Sequence, residues 1–214
     1  MKTVSRSWRI GIRKIGKKKY YENLLVVIDA QNDFIDGALG TPEAQKAVPN
    51  IIKKMREYQI VNNGFVEDPD ESVILFTLDT HYEATYDDSP EGKKLPIRHC
   101  IYNTLGWLIN HDIMLEYYAG NYTRFEDGFI TNGRIQKSTF GSMKLMDIVR
   151  TWCTEKIELV GFCTDICVIS NALMLKAAMP EIQIVVDSSC CAGTTPKMHE
   201  EALDIMRSCQ IDII

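Results

Sequence analysis

The stretch Leu24-Leu-Val-Val-Ile28-Asp29-Ala-Gln-Asn-Asp33-Phe34 decides the reading of the chain. Five consecutive apolar residues, rich in Val and without polar alternation, describe a strand buried on both faces. The run then stops at a carboxylate. Other segments repeat the design: Val73–Leu78 ends at Asp79, Ile157–Val160 ends at Gly161, Ile182–Val186 ends at Asp187, and Ile211–Ile214 reads as a short last strand. Helical patterns lie between them. From Pro42 to about Asn62, the residues Ala44, Val48, Ile51, Ile52 and Met55 fall at helical spacing, with Thr41 as N-cap and Pro42 in the first turn. Ser142–Trp152, Ile166–Ala178 and Pro196–Ser208 supply further helices. Doubly buried strands alternating with amphipathic helices predict a three-layer α/β/α domain with a mainly parallel sheet.

In open sheets of this type, ligands bind beyond the carboxyl ends of the strands. Asp29, Asp79 and the segment Gly161–Cys167 all fall at such ends, so three strands bring polar groups to one edge. The stretch from Asp79 to Thr139 reads as long and irregular. Compact domains seldom carry such a segment without a use, so it is expected to help build the site.

Composition narrows the function. The chain has 214 residues, 45% hydrophobic and 25% charged, which suits a single soluble domain. No apolar run approaches the ~20 residues needed to span a bilayer, and no secretory signal pattern opens the sequence. Seven cysteines, an odd number and mostly within apolar segments, favour free thiols in a reducing compartment; a cytoplasmic protein is expected. Residues 1–20 contain Lys2, Arg6, Arg9, Arg13, Lys14, Lys17, Lys18 and Lys19 and no acid, and are read as a poorly ordered basic extension. Since the whole chain has a net charge of −5, the body (residues 21–214) is strongly acidic, which argues against a nucleic-acid partner.

Three groups of residues carry possible chemistry. In Gly161-Phe-Cys163-Thr-Asp165-Ile-Cys167-Val, a strand-to-helix turn places Cys167 in the first helical turn. There, free backbone N–H groups and the helix dipole are expected to lower a thiol pKa and to hold an oxyanion. A buried Cys is also an ordinary small core residue. Asp29 is a candidate proton acceptor for the thiol, and Asp33 competes for that role. Lys137, in Ile135-Gln-Lys137-Ser-Thr-Phe140-Gly-Ser142, gains interest only alongside Asp29 and Cys167. Finally, Asp79-Thr-His81, with Glu91 and His99 farther along, offers two imidazoles and two carboxylates suited to a divalent ion such as Zn²⁺, Mn²⁺ or Fe²⁺.

Taken in order, Val27-Ile-Asp29-Ala-Gln-Asn-Asp-Phe34, Thr77-Leu-Asp79-Thr-His81, Glu91-Gly-Lys-Lys-Leu-Pro-Ile-Arg-His99-Cys, Lys137-Ser-Thr-Phe-Gly-Ser142 and Val160-Gly-Phe-Cys-Thr-Asp-Ile-Cys167-Val resemble the isochorismatase-like cysteine hydrolases, and within them the nicotinamidases. The resemblance runs from about Leu24 to Ile214. It implies a six-stranded parallel, Rossmann-type sheet and a catalytic triad of Asp29, Lys137 and Cys167. It also implies an oxyanion hole from the N–H groups of Cys163 and Cys167, with a cis peptide before Cys163. Asp79, His81 and His99 would bind a metal, zinc before manganese or iron; the third histidine that some members carry in the loop between them is lacking here, and Glu91 would correspond to the glutamate that others use instead. Phe34, Leu95 and Phe140 would line the substrate pocket.

The implied reaction is hydrolysis of nicotinamide to nicotinate and ammonia through a Cys167 thioester. Alternatives are hydrolysis of another amide or a carbamoyl compound, isochorismate hydrolysis, or a non-catalytic thiol or metal-binding protein. A small-molecule amide is the expected partner, without membrane or nucleic acid, and a homo-oligomer is expected from the family's habit.

Overall fold

The computed structural model describes residues 21–59, 72–120, 122 and 133–214. The basic segment 1–20 lies outside the described residues; the helix expected to run from Pro42 to about Asn62 ends at Arg56, with Glu57 as its C-cap, and only positions 60–62 of that expected span lie outside the described residues. Six strands form one sheet: β1 (Asn23–Ile28), β2 (Ser72–Asp79), β3 (Arg134–Lys137), β4 (Lys156–Phe162), β5 (Gln183–Ala192) and β6 (Asp212–Ile213). Every pairing is parallel, and the spatial order is β3-β2-β1-β4-β5-β6. The order reverses between β1 and β4, and that crevice is where doubly wound sheets bind ligands.

Alternation along β1 sends its side chains into two cores. Leu24, Val26 and Ile28 join residues of α4 (Met143–Val149), α5 (Ile169–Ala178) and α6 (Pro196–Ser208) on one face. Leu25 and Val27 join α1 (Asn32–Ile35), α2 (Pro42–Arg56) and α3 (His111–Ala119) on the other. All five are fully buried, which is why the sequence shows no polar alternation there. Helix starts follow local chemistry. The Thr41, Ser142 and Thr195 hydroxyls each accept an N–H three residues on, and Pro42 and Pro196 occupy first turns.

Four further boundaries differ from the sequence reading. The "irregular" stretch contains α3 and the edge strand β3, which was hidden because Ile135 is the only aliphatic residue in Arg134-Ile-Gln-Lys137. Strand β5 runs on to Ala192, its register shifting opposite Leu159 and Gly161, so that Asp187-Ser188-Ser189 interrupt the apolar run without ending the strand. Helix α4 stops at Val149. Finally, α5 begins at Ile169, after a π-helical turn over Thr164–Val168 in which the Val168 N–H reaches the Cys163 carbonyl at 3.1 Å. Among the described residues no helix is long and apolar enough to cross a membrane.

Candidate active site

Four strand ends build the site. Asp29 follows β1 with a positive φ of 45°, a left-handed conformation that Asp tolerates better than most residues. Asp79 ends β2 and Lys137 ends β3, and the two are direct partners in the β2–β3 register. Beyond β4, the chain passes through a cis Phe162–Cys163 peptide into the turn that carries Cys167. Gly161 allows β4 to close on β1 here: it has φ +117°, and a Cβ would lie 2.0 Å from the Ile28 carbonyl oxygen.

Asp29, Lys137 and Cys167 meet at this edge. Lys137 Nζ lies 2.6 Å from Asp29 Oδ2 and 3.4 Å from Cys167 Sγ. The Thr77 hydroxyl donates to Asp29 Oδ1 at 2.7 Å, fixing the carboxylate from its other oxygen. Asp29, Lys137 and Cys167 are all buried. Burial pushes the Asp29 pKa up, with Lys137 opposing. Burial works against the Lys137 charge, yet the pull of Asp29, Cys167 and Asp79 holds its pKa above the ordinary lysine value.

The Cys167 thiol does not follow the helix-dipole expectation. Burial first, and then the neighbouring Asp29 charge, hold its pKa well above the usual thiol value, while Lys137 pulls the other way. The reason is local. The π-helical turn sets Cys167 ahead of α5, in contact with the apolar core, with a carboxylate beside it. The arrangement therefore favours a resting thiol next to a carboxylate able to take its proton. Asp33, the competing acid, is engaged elsewhere: it accepts the Cys100 N–H at 2.7 Å and the Ala38 N–H at 3.1 Å, tying two loops together.

Asp79, His81, Glu91 and His99 form the second group, with one donor atom from each all within 4.8 Å of one another. His81 Nε2 is 2.9 Å from Asp79 Oδ2 and 3.6 Å from Glu91 Oε2; His99 Nε2 is 3.4 Å from Asp79 Oδ2 and 3.5 Å from Glu91 Oε1. Ligand atoms on a tetrahedral ion with bonds of ~2.0–2.1 Å stand roughly 3.4 Å apart, so this donor set fits a divalent metal. Burial opposes charge on His99, but Asp79 and Glu91 push its pKa up to about 10, as expected where two carboxylates converge on a cation position.

A cavity of about 320 Å³ joins the two groups. Its lining includes Asp79, Glu91 and His99 on one side, Cys163 and Cys167 on another, and all three anticipated wall residues, Phe34, Leu95 and Phe140. Leu39, Thr41, Ile166 and Thr194 also line it and had no distinguishing sequence signal.

Supporting residues were also missed. Gln31, fully buried, accepts the Asp79 N–H at 2.7 Å and donates to the Asp79 and Trp107 carbonyls at 2.9 and 2.8 Å. Asn171 accepts the Ser142 N–H and donates to the Cys167 and Phe140 carbonyls, binding the cysteine turn to the loop after Lys137. The signal for Gln31 and Thr77 was a polar residue within or just beyond an apolar strand.

An acid, a lysine and a cysteine thus gather, beside a four-donor cluster, at the switch point of a 3-2-1-4-5-6 parallel sheet, where doubly wound α/β proteins bind ligands. The chain belongs to the Isochorismatase domain family, whose match covers residues 23–214. It is 24% identical over 201 residues to the nicotinamidase/pyrazinamidase of Mycobacterium tuberculosis, covering 89% of this chain and 97% of the relative. Among solved structures, it resembles nicotinamidase from Bacillus subtilis (TM-score 0.69, 23% identity, 90% of this chain and 98% of the other). It also resembles pyrazinamidase of Pyrococcus horikoshii in complex with zinc (TM-score 0.66, 24% identity, the same coverage).

Proposed function

We propose that the protein is a metal-assisted cysteine amidohydrolase that converts nicotinamide to nicotinate and ammonia. One observation carries the reading: Lys137 Nζ touches both Asp29 (2.6 Å) and Cys167 (3.4 Å), and Cys167 lines a cavity whose wall also includes Asp79, Glu91 and His99 of the four-donor cluster. Relatives of similar length that are nicotinamidases support the substrate.

In this reading Cys167 Sγ attacks the amide carbonyl as Asp29 takes the thiol proton. The raised pKa of Asp29 suits it to return that proton to the leaving nitrogen, so that ammonia departs and a thioester forms. Asp29 next activates water, which releases the carboxylic acid product and restores the thiol. Lys137 stays charged throughout and balances the charge on Asp29. The N–H groups of Cys163 and Cys167 hold the developing oxyanion. Asp79, His81, Glu91 and His99 would hold a divalent ion, which would supply Lewis acidity to the pyridine nitrogen.

The cavity lining contains carboxylates but no lysine or arginine, which favours a neutral amide over the dicarboxylate isochorismate. The aliphatic Leu39, Leu95 and Ile166 in the lining leave a second reading, in which the substrate is an aliphatic amide or carbamoyl compound. Ammonia release should be measured with nicotinamide and with a panel of carbamoyl compounds, before chelation, after it, and after metal return. Turnover of nicotinamide that chelation removes and metal restores supports the proposal; turnover confined to carbamoyl compounds overturns the substrate assignment.

A further inference from the structure

Leu95-Pro96-Ile97 has no regular backbone pairing, and Pro96 has no N–H to give, so the segment that leads into His99 needs a tie from outside. Tyr86 provides it. Its hydroxyl sits 2.8 Å from the carbonyl oxygens of both Leu95 and Ile97, and 3.2 Å from His99 Nδ1. His99 Nδ1 is in turn 2.9 Å from the Ile97 carbonyl. The consistent assignment has Nδ1–H donating toward the Ile97 carbonyl and the phenol oxygen, and the phenol O–H donating to the carbonyls. With a metal bound, that would leave the Nε2 lone pair for the ion between Asp79 and Glu91, the tautomer a metal needs.

The Tyr86 ring also meets both imidazoles edge-on, with centroids 5.2 Å from His81 and 5.6 Å from His99. Its own backbone is fastened to the Glu91 turn. Ser89 Oγ donates to the Tyr86 carbonyl at 2.6 Å and accepts the Gly92 N–H at 2.9 Å. A Cβ on Gly92 would lie 2.0 Å from the same carbonyl oxygen, so only glycine permits this closeness. Tyr86 is 1% exposed, more buried than a phenol needs to be merely to fill space near a rim.

We infer that Tyr86 is a positioning residue for the metal centre: its hydroxyl fixes the ring orientation of His99 and holds the 86–97 segment that delivers Glu91 and Leu95. The inference rests on reading the four-donor cluster as a metal site. It makes metal affinity depend on one oxygen atom that contacts no metal.

The test is Zn²⁺ affinity by competition with a chromophoric chelator, on folded metal-free wild type, Tyr86→Phe, His99→Ala and the double variant, with Co²⁺ absorption spectra of the first two. Tyr86→Phe should bind Zn²⁺ about 10-fold or more weakly, in the range found when outer-shell partners of ligating histidines are removed. Its Co²⁺ bands should shift. In the His99→Ala background the same change should cost much less, because the hydroxyl acts through His99. Should metal-free Tyr86→Phe fold poorly, the zinc-dependent rise in its melting temperature reports the same loss. Wild-type affinity and spectrum in Tyr86→Phe would overturn the role of Tyr86 while leaving the metal site standing. A wild type that binds no divalent ion would overturn both.

Discussion

Lys137 Nζ lies 3.6 Å from Asp79 Oδ1, a contact that joins the Asp29–Lys137–Cys167 group to the metal-type cluster, because the other Asp79 oxygen faces His81 and His99. Asp79 thus serves two centres, and substitutions in the cluster should not be equivalent. Glu91→Gln should weaken metal binding, and saturating metal should restore most of its activity. Asp79→Asn should weaken metal binding and also removes a partner of Lys137, so activity should stay depressed at saturating metal. Activity titrated against Zn²⁺ or Mn²⁺ in both variants distinguishes these outcomes.

Lys137→Met should lower kcat by about 10²-fold or more, the scale of losing one preorganised charge at a reacting centre, with a smaller change in KM. Steady-state kinetics at several nicotinamide concentrations provide the check. A change confined to KM would mean that Lys137 binds substrate rather than balancing charge beside Asp29.

The pH profile has a predicted sign. Burial raises the pKa of Asp29, and the base form is the one that accepts the thiol proton. As pH falls, kcat/KM should therefore drop while ordinary carboxyl groups, near 3.9, are still ionised. Lys137, held above the normal lysine value, should contribute no alkaline limb below that value. An acid limb at or below the ordinary aspartate range would contradict the assignment of Asp29 as base.

A separate buried network tests the fold. Lys54 Nζ pairs with Glu158 Oε1 at 2.9 Å and Asp187 Oδ2 at 3.1 Å, while Tyr58 donates to Glu158 at 2.8 Å. Burial raises the pKa values of Glu158 and Asp187, but their partners, Lys54 among them, leave both lowered. Their pairing therefore stabilises the fold above the unfolded carboxyl pKa values, and the gain is lost as pH falls through the folded ones. Lys54→Met should cost about 3 kcal/mol at neutral pH, as for breaking a buried pair, and progressively less in acid. Urea denaturation at pH 7 and pH 4 measures both.

Much of this was legible in the sequence because the physics was local. Leu24–Ile28 and Val73–Leu78 lack polar alternation because both faces are covered, and a strand ending in Asp places that Asp at the ligand edge. Asp29, Asp79 and Cys167 could be placed that way. Lys137 could not. It ends an edge strand with one aliphatic residue, so only resemblance to a family drew attention to it. The environment of Cys167 is not legible for a related reason: position near a helix start suggests a low thiol pKa, whereas burial and Asp29 are three-dimensional facts that raise it. Tyr86 and Asn171 act by hydrogen-bonding backbone groups of other segments, and nothing in their own neighbourhood in the chain announces it, whereas Gln31 shows only as a polar residue just beyond an apolar strand.

The most direct test of the account is the mass of the enzyme during turnover. Wild-type protein and Cys167→Ala, both metal-loaded, are mixed with nicotinamide, quenched in acid within the turnover time, and examined as intact protein and as peptides. The account predicts a nicotinoyl adduct on the peptide containing Cys167 in the wild type. Cys167→Ala should show no adduct and a loss of ammonia release on the order of 10⁴-fold or more, with metal content unchanged. Continued turnover by Cys167→Ala, or an adduct on any other residue, would contradict it.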